Sequence, residues 1–442
     1  MEKVRKKSHV YKITLSNKIE FDILEKPELT ALLRSAKKLL NRIISNPQKF
    51  GNIWVDIHKV KKNEVSLIIL PMERVGAEKG FCGSNVMIGY FISEGIKPSR
   101  PMVIKILKQS KYSKPKDKLK DEDERFNKIK LWIKYSIEYF SAPIHFSTHK
   151  IKLKDKDIDC SLLWFHFISN KIVGDLNNDN RFEGLAEKNL LKVLRQPNDY
   201  DLKKKIIDNL YQFLKDLHCK ENAKPKKRNI LKEYSWYLRG INSEQEERWK
   251  KVWIYHDSSN SYVREFGKTW ANPFMVLEKL RECKFKLFFG GIHGDLHPRN
   301  VVLGLQEVPF LIDYGWSSDD SHIAKDFVLM EANLRFAVLR PEVSFYSILK
   351  MSDWIKFERE CKFKGDSYIE NQIKLIQHLR SIAKQHFSNT KNINWDEEYI
   401  IPLFITSFGL LRHIKSFDNQ TAARITVLAL ATYIKKNIFS NL

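Results

Sequence analysis

His293-Gly294-Asp295-Leu296-His297-Pro298-Arg299-Asn300, followed by Leu311-Ile312-Asp313-Tyr314-Gly315, decides how this chain is read. A carboxylate, an amide five residues on and a second carboxylate after an apolar run share one chemical logic. Asp295 can orient a substrate hydroxyl and accept its proton. Asn300 and Asp313 offer hard oxygen donors of the kind Mg²⁺ takes, with waters or phosphate oxygens completing its shell. Each residue also has a plainer reading. A loop aspartate is commonly solvated, and an aspartate before Tyr-Gly commonly shapes a turn. The spacing of all three weakens the plain readings. His293 and His297 stand four apart, as zinc ligands on a helix do, but Gly294 and Pro298 put them in a loop. Both are read as packing or substrate-orienting residues.

The rest of the composition sets the bounds. The chain has 442 residues, enough for a two-lobed enzyme or two to three packed units. With 43% hydrophobic and 12% aromatic residues it can build a core, which excludes disorder over its whole length. The net charge of +24 raises an anionic partner such as nucleic acid. The basic residues are mostly lysines scattered along the chain, without a zinc-finger, RRM or OB signature, so a solvated basic surface is favoured over a nucleic-acid interface. Five cysteines without a Cys-x-x-Cys pair argue against a disulfide framework or structural zinc, and suit a reducing cytoplasm. The charged N-terminus lacks the apolar core of a secretion signal. Residues 400–411, the longest apolar stretch, are too few to span a bilayer, so no membrane partner is expected.

Along the chain, residues 1–64 read as an accessory segment with a short β-like start at 10–15 and a helix over 27–44. Three strands then begin at Val65, Val86 and Met102, joined by turns, which predicts an antiparallel sheet. A charged stretch leads into a helix over 124–139, and 162–168 reads as a further buried strand. Beyond residue 170 the pattern is helical, with helices over 200–219, 324–338, 368–386, 397–413 and 420–439, and a basic, Pro-containing loop over 220–228. The fold class is α+β: a β-rich N-lobe over 65–170 and a helical C-lobe over 171–442 that carries the catalytic loop and a C-terminal helical extension.

The two segments quoted first resemble the aminoglycoside phosphotransferase and choline kinase family of the protein-kinase-like superfamily. That family uses a His-Gly-Asp-x-x-x-x-Asn loop and a following metal-binding Asp. The resemblance spans about residues 65 to 340 in element order, and its sharp motifs cover about thirty residues. It implies a two-lobed kinase-like fold that uses ATP and Mg²⁺, with Asp295 as catalytic base and Asn300 and Asp313 on the metal. It also implies a phosphate-covering loop, for which Gly80, Gly83 and Ser84 are the candidates. The loop departs from the family pattern, with Lys79 where a second glycine is common and Cys82 in place of a small polar residue. Lys105, in the strand Val103-Ile-Lys-Ile-Leu, matches the family's phosphate-contacting lysine; a lysine on the solvent face of a strand is the plainer reading. Its carboxylate partner is expected at Glu124, with Glu122 as the alternative. The backbone near Phe165 and Phe167 is the expected adenine-binding edge. Asp326 is similar to a family residue that braces the catalytic loop.

The function so implied is transfer of the ATP γ-phosphoryl group to a hydroxyl of a small-molecule or protein acceptor. The alternatives are a nucleotide-binding pseudokinase or regulatory component of a bacterial conflict or defence system, and an adenylyl transferase on the same fold. The acceptor is not legible. Residues beyond 340 and the insert over 220–274, with Trp236, Trp249, Trp253 and Trp270, are expected to shape its pocket.

Overall fold

A computed structural model describes residues 13–15, 24, 26–50, 53–60, 65–71, 85–109, 118–133, 136–153, 156–169, 188–197, 199–218, 224–239, 260–353, 366–387 and 394–439. The chain divides into two compact units: one of residues 1–127, 137–188 and 302–315, the other of 128–136, 189–301 and 316–442.

The first unit holds β1 (Ile13–Leu15), α1 (Lys26–Ser45), β2 (Val65–Pro71), β3 (Asn85–Ser93), β4 (Met102–Gln109), α2 (Lys118–Lys130), β5 (Pro143–Leu153) and β6 (Lys156–His166). Its six strands form one sheet in the order β1-β2-β3-β4-β6-β5. The pairings are antiparallel except β1 with β2, which is parallel. The α+β class and the antiparallel sheet are thus as expected, with β5 a strand the sequence reading did not contain. The segment expected to be accessory supplies a core helix. Ala31, Leu32, Ala36, Leu39, Leu40 and Ile43 recur at helical spacing and are buried with Leu67, Phe91, Ile104, Ile106, Leu162 and Trp164 of the sheet. The core's polar handles are satisfied, since Trp164 Nε1 donates to Ser35 Oγ at 2.9 Å and Trp54 Nε1 to the Lys97 carbonyl at 2.7 Å.

In β4 the side chains alternate. Met102, Ile104 and Ile106 are buried in the α1 core, so Val103 and Lys105 project from the opposite face. Helix α2 begins at Lys118 and ends at Lys130, earlier than the expected 124–139, so the acidic run lies inside the helix. Its buried residues Leu119, Glu122, Phe126 and Ile129 fall on one stripe.

The second unit is organised on a three-stranded sheet, β9-β8-β7, with β7 (Lys224–Asn229), β8 (Lys284–Ile292) and β9 (Ser318–His322) all antiparallel. The basic stretch expected to be a loop is β7. It pairs with β8 through its backbone, Lys224 opposite Phe289 and Asn229 opposite Lys284. At the sheet edge Lys224 and Lys227 stay exposed, Lys226 pairs with Asp320, and Pro225 is tolerated. Around the sheet lie α3 (Tyr200–His218), α4 (Ala324–Ala332), α5 (Ser367–Phe387), α6 (Ile401–Leu410) and α7 (Gln420–Asn437). The expected helix over 324–338 changes to a π-helical turn at Asn333–Ala337. Gly290 and Gly291 let the end of α3 lie against β8: a Cβ on either would stand 2.7 Å and 2.8 Å from the carbonyls of His218 and Leu217. No described helix is long and apolar enough to cross a membrane.

Candidate active site

The candidate residues fall into two groups, one in each unit. In the first unit Lys105 projects from β4 and its ammonium donates to both carboxylate oxygens of Glu122, at 2.8 and 3.0 Å. Asp313 Oδ1 lies 3.6 Å from the same nitrogen, and the Phe165 ring centroid 5.0 Å away. The Tyr314 N–H also donates to Glu122, at 3.3 Å. Burial pushes the Glu122 carboxyl up to about 7 against the pull of Lys105, and the Asp313 charge adds to the rise. Asp313 follows the short strand Pro309–Leu311 and holds φ at 68°, in the left-handed region that Asp tolerates better than most residues. The turn aims a partly exposed carboxylate at the lysine.

The partner of Lys105 is therefore Glu122, not Glu124. Two residues along a helix is about 200° of rotation. Glu124 falls on the exposed side and stands 3.7 Å from Lys120. The spacing Leu119-Glu122-Phe126-Ile129 is the signal that picks Glu122 from the sequence. Phe165 lies inside the ladder, opposite both Val103 and Pro143, and β6 ends at His166, so Phe167 follows the strand. Gly80, Gly83 and Ser84 lie outside the described residues.

In the second unit the His293–Asn300 loop leaves the end of β8. Asn300 is buried and its amide donates to the Asp295 carbonyl at 2.9 Å and to Asp295 Oδ2 at 3.2 Å. The Asp295 carboxylate, one-third exposed, also stands 3.7 Å from His297 Nε2. Because its nitrogen is held by Asp295, the Asn300 carboxamide presents its oxygen on the opposite side. A carboxamide oxygen is a hard donor of the kind Mg²⁺ takes; in the first unit, the Asp313 carboxylate is another. Among the described residues no cluster of three or more His, Cys, Asp or Glu could hold a metal ion.

The loop is braced from behind. Asp326, fully buried in the first turn of α4, accepts the backbone N–H of His293 and of Gly294, each at 2.8 Å, and stands 3.0 Å from His218 Nε2. Burial works to raise its carboxyl, but the His218 bond, the neighbouring imidazoles and the Gly294 N–H outweigh it and hold the group below its ordinary value. His218 and His386 meet Nδ1 to Nδ1 at 3.1 Å; burial first, then His218, holds His386 down to about 3. Gly294 has φ 84°, and a Cβ there would stand 2.2 Å from the Trp316 carbonyl oxygen. Ser317 Oγ donates to the His293 carbonyl at 3.0 Å. His293 is buried within this brace, whereas His297 is partly exposed beside Asp295. The sequence pointed to Asp326 but not to His218, whose contact spans more than a hundred residues.

Against known proteins, the family model described as Ternary complex associated domain 9 matches residues 212–411. Comparison with curated proteins gives no match. Among solved structures the chain is similar to an amicoumacin kinase in complex with AMP-PNP, Ca²⁺ and Ami, with 10% identity and a TM-score of 0.38, covering 84% of this chain and 90% of that one. It is similar to the choline kinase LicA from Streptococcus pneumoniae, with 14% identity and a TM-score of 0.29 over 71% and 93% of the two chains. It is also similar to an AMP-bound spectinomycin phosphotransferase, with 11% identity and a TM-score of 0.28 over 78% and 90%. At these identities and TM-scores, the chemistry of the site stands on its own residues.

Proposed function

We propose that this chain is an ATP- and Mg²⁺-dependent phosphotransferase that moves the γ-phosphoryl group to a hydroxyl of a small-molecule or protein acceptor. The observation that carries this reading is Lys105, held by the buried carboxylate of Glu122 with Asp313 beside it. A half-buried ammonium between two carboxylates is a costly arrangement that suits a site for phosphate and a divalent cation. Bound ATP would supply the γ-phosphoryl group, and ADP would be the leaving group. Lys105 would contact the phosphates, with Glu122 fixing the direction of its ammonium. Asn300 and Asp313 would each give an oxygen to the Mg²⁺. Asp295 would orient the acceptor hydroxyl and take its proton, its own carboxylate steadied by Asn300. The backbone at Phe165 and Phe167 would meet the adenine edge, and Gly80, Gly83 and Ser84 would cover the phosphates.

A second reading is a nucleotide-binding component of a larger assembly. It is favoured by the family model that matches residues 212–411, described as a ternary complex associated domain. An adenylyl transferase would use the same residues with ATP reversed.

Purified protein incubated with Mg²⁺ and ATP labelled on the γ or the α phosphate separates the three. Release or transfer of the γ label, lost in Asp295→Ala with ATP binding kept, supports the phosphotransferase. Transfer of the α label would move the assignment to adenylylation. Nucleotide binding with neither label moved would leave the assembly component.

A further inference from the structure

Next to the Asp295 loop, within the same unit, lies a group of residues that the proposed chemistry does not use. Trp316 rests on Gly294, whose substitution would drive a Cβ into the Trp316 carbonyl and to 3.2 Å from the Trp316 Cβ. Trp236 packs on Trp316 with ring centroids 3.8 Å apart and planes 35° apart. The guanidinium of Arg239 lies 3.5 Å from the Trp236 ring centroid and 5.9 Å from that of Trp316. Arg412 approaches the Trp236 ring at 5.4 Å and donates from Nη1 to the Trp236 carbonyl at 3.2 Å. From Asp295 outward the order is one residue of loop, two indoles in tilted contact and two arginines. Tyr237 joins the two ends, since its buried phenol is raised first by burial and then by the Asp295 charge, with Arg412 acting against the rise.

The charge of this group is unbalanced. Three other cations of the unit have carboxylates: Arg335 and Arg380 share Glu331, and Lys325 has Glu233. Among the described residues neither Arg239 nor Arg412 pairs with one. Instead both lie against the Trp236 ring. Burial, and then Arg239, hold the Arg412 guanidinium below its ordinary value, and its buried Nε has no hydrogen-bond partner among the described residues. Two planar guanidiniums held on indole faces keep their N–H forks pre-set for a carboxylate or phosphate. An anion there would relieve their repulsion.

We infer that Arg239 and Arg412, seated on Trp236 and Trp316, form an acceptor subsite that recognises an anionic group, phosphate or carboxylate, on the molecule whose hydroxyl Asp295 serves. This rests on the phosphotransferase reading for the word acceptor; the anion site itself does not. The indoles would set the distance between the anionic group and the reacting hydroxyl and give a flat surface for the apolar part of the acceptor. Arg239 is exposed and Arg412 partly buried, so a ligand can reach the first from solvent and the second through it.

The test uses the full chain and two simple anions. Inorganic phosphate and acetate are titrated by calorimetry into the wild type, Arg239→Gln, the double variant Arg239→Gln/Arg412→Gln, and Lys415→Gln as an exposed-charge control. The expected result is a phosphate or acetate binding event that weakens at least tenfold in the double variant, severalfold in Arg239→Gln, and not in Lys415→Gln. Tighter phosphate assigns a phosphorylated acceptor, and tighter acetate a carboxylate. Absence of anion binding to the wild type at millimolar concentration overturns the inference, as does binding that all three variants keep or that Lys415→Gln weakens equally. Arg239→Gln replaces an exposed residue, so a folding failure of the double variant leaves a readable result. Anion binding that follows the arginines while labelled ATP transfers nothing would sink the phosphotransferase reading and leave the subsite standing.

Discussion

Asp326→Asn removes one charge and no volume from the centre of the second unit, and the structure says what that costs. The carboxylate accepts two backbone N–H groups at 2.8 Å and faces His218 Nε2 at 3.0 Å, all with no solvent exposure. Each charge-assisted bond contributes roughly 1.5–3 kcal/mol. Asparagine keeps one acceptor oxygen but turns an NH₂ toward groups that are themselves donors, leaving at least one buried N–H without a partner. The loss is about 3–5 kcal/mol, the range for removing one side of a buried polar pair. Urea denaturation followed by near-ultraviolet circular dichroism measures it. Its pH dependence is fixed in sign. Because the folded carboxyl is depressed, its contribution is present above the ordinary carboxylate value of about 4. It is lost as pH falls through the depressed value. The gap between wild type and variant should therefore stay constant from about pH 8 down to about pH 5 and close only in acid. A gap under about 1 kcal/mol at neutral pH, or one that closes on the alkaline side, would refute the brace.

Glu122 should show the opposite pH sense. Its carboxyl rises to about 7 in the fold, so its contribution is complete below the ordinary value of 4.5 and declines as pH climbs through about 7. Glu122→Gln should flatten that decline in a denaturation series, and an unchanged slope would count against burial as the cause of the raised carboxyl. Gly294→Ala should lose about 2–4 kcal/mol, from a left-handed backbone and a Cβ driven onto the Trp316 carbonyl; thermal unfolding within a degree of wild type would contradict it. Lys105→Met should weaken ATP binding at least tenfold while Glu124→Gln leaves it within twofold of wild type, read by calorimetry, roughly 1.4 kcal/mol of difference. Equal effects would mean that the helix face has been misassigned.

Local chemistry was legible because it is local. Asp295 and Asn300 are five residues apart, and the bonds from the amide to the Asp295 carbonyl and carboxylate are the kind a tight loop can make. Helix α1 could be read from its apolar spacing, since one stripe of leucines has one way to be buried. Lys105 was legible as an odd residue in an apolar strand, and the alternation of β4 explains why it leaves the core.

What only the tertiary structure decided depends on partners far away in the chain. Glu122 wins over Glu124 because it falls on the buried stripe with Leu119, Phe126 and Ile129; the spacing offers that stripe, and only burial shows that it turns inward. The basic run at Lys224–Asn229 becomes a strand because β8 offers it a backbone ladder, something no side-chain pattern within the run encodes. His218 reaches Asp326 across α3 and α4, and Arg239 and Arg412 meet on one indole from segments more than 170 residues apart. Sequence spacing names the groups that can do chemistry. Burial and long-range contact decide which of them are charged, held and aimed, because desolvation and the neighbouring charges belong to the fold.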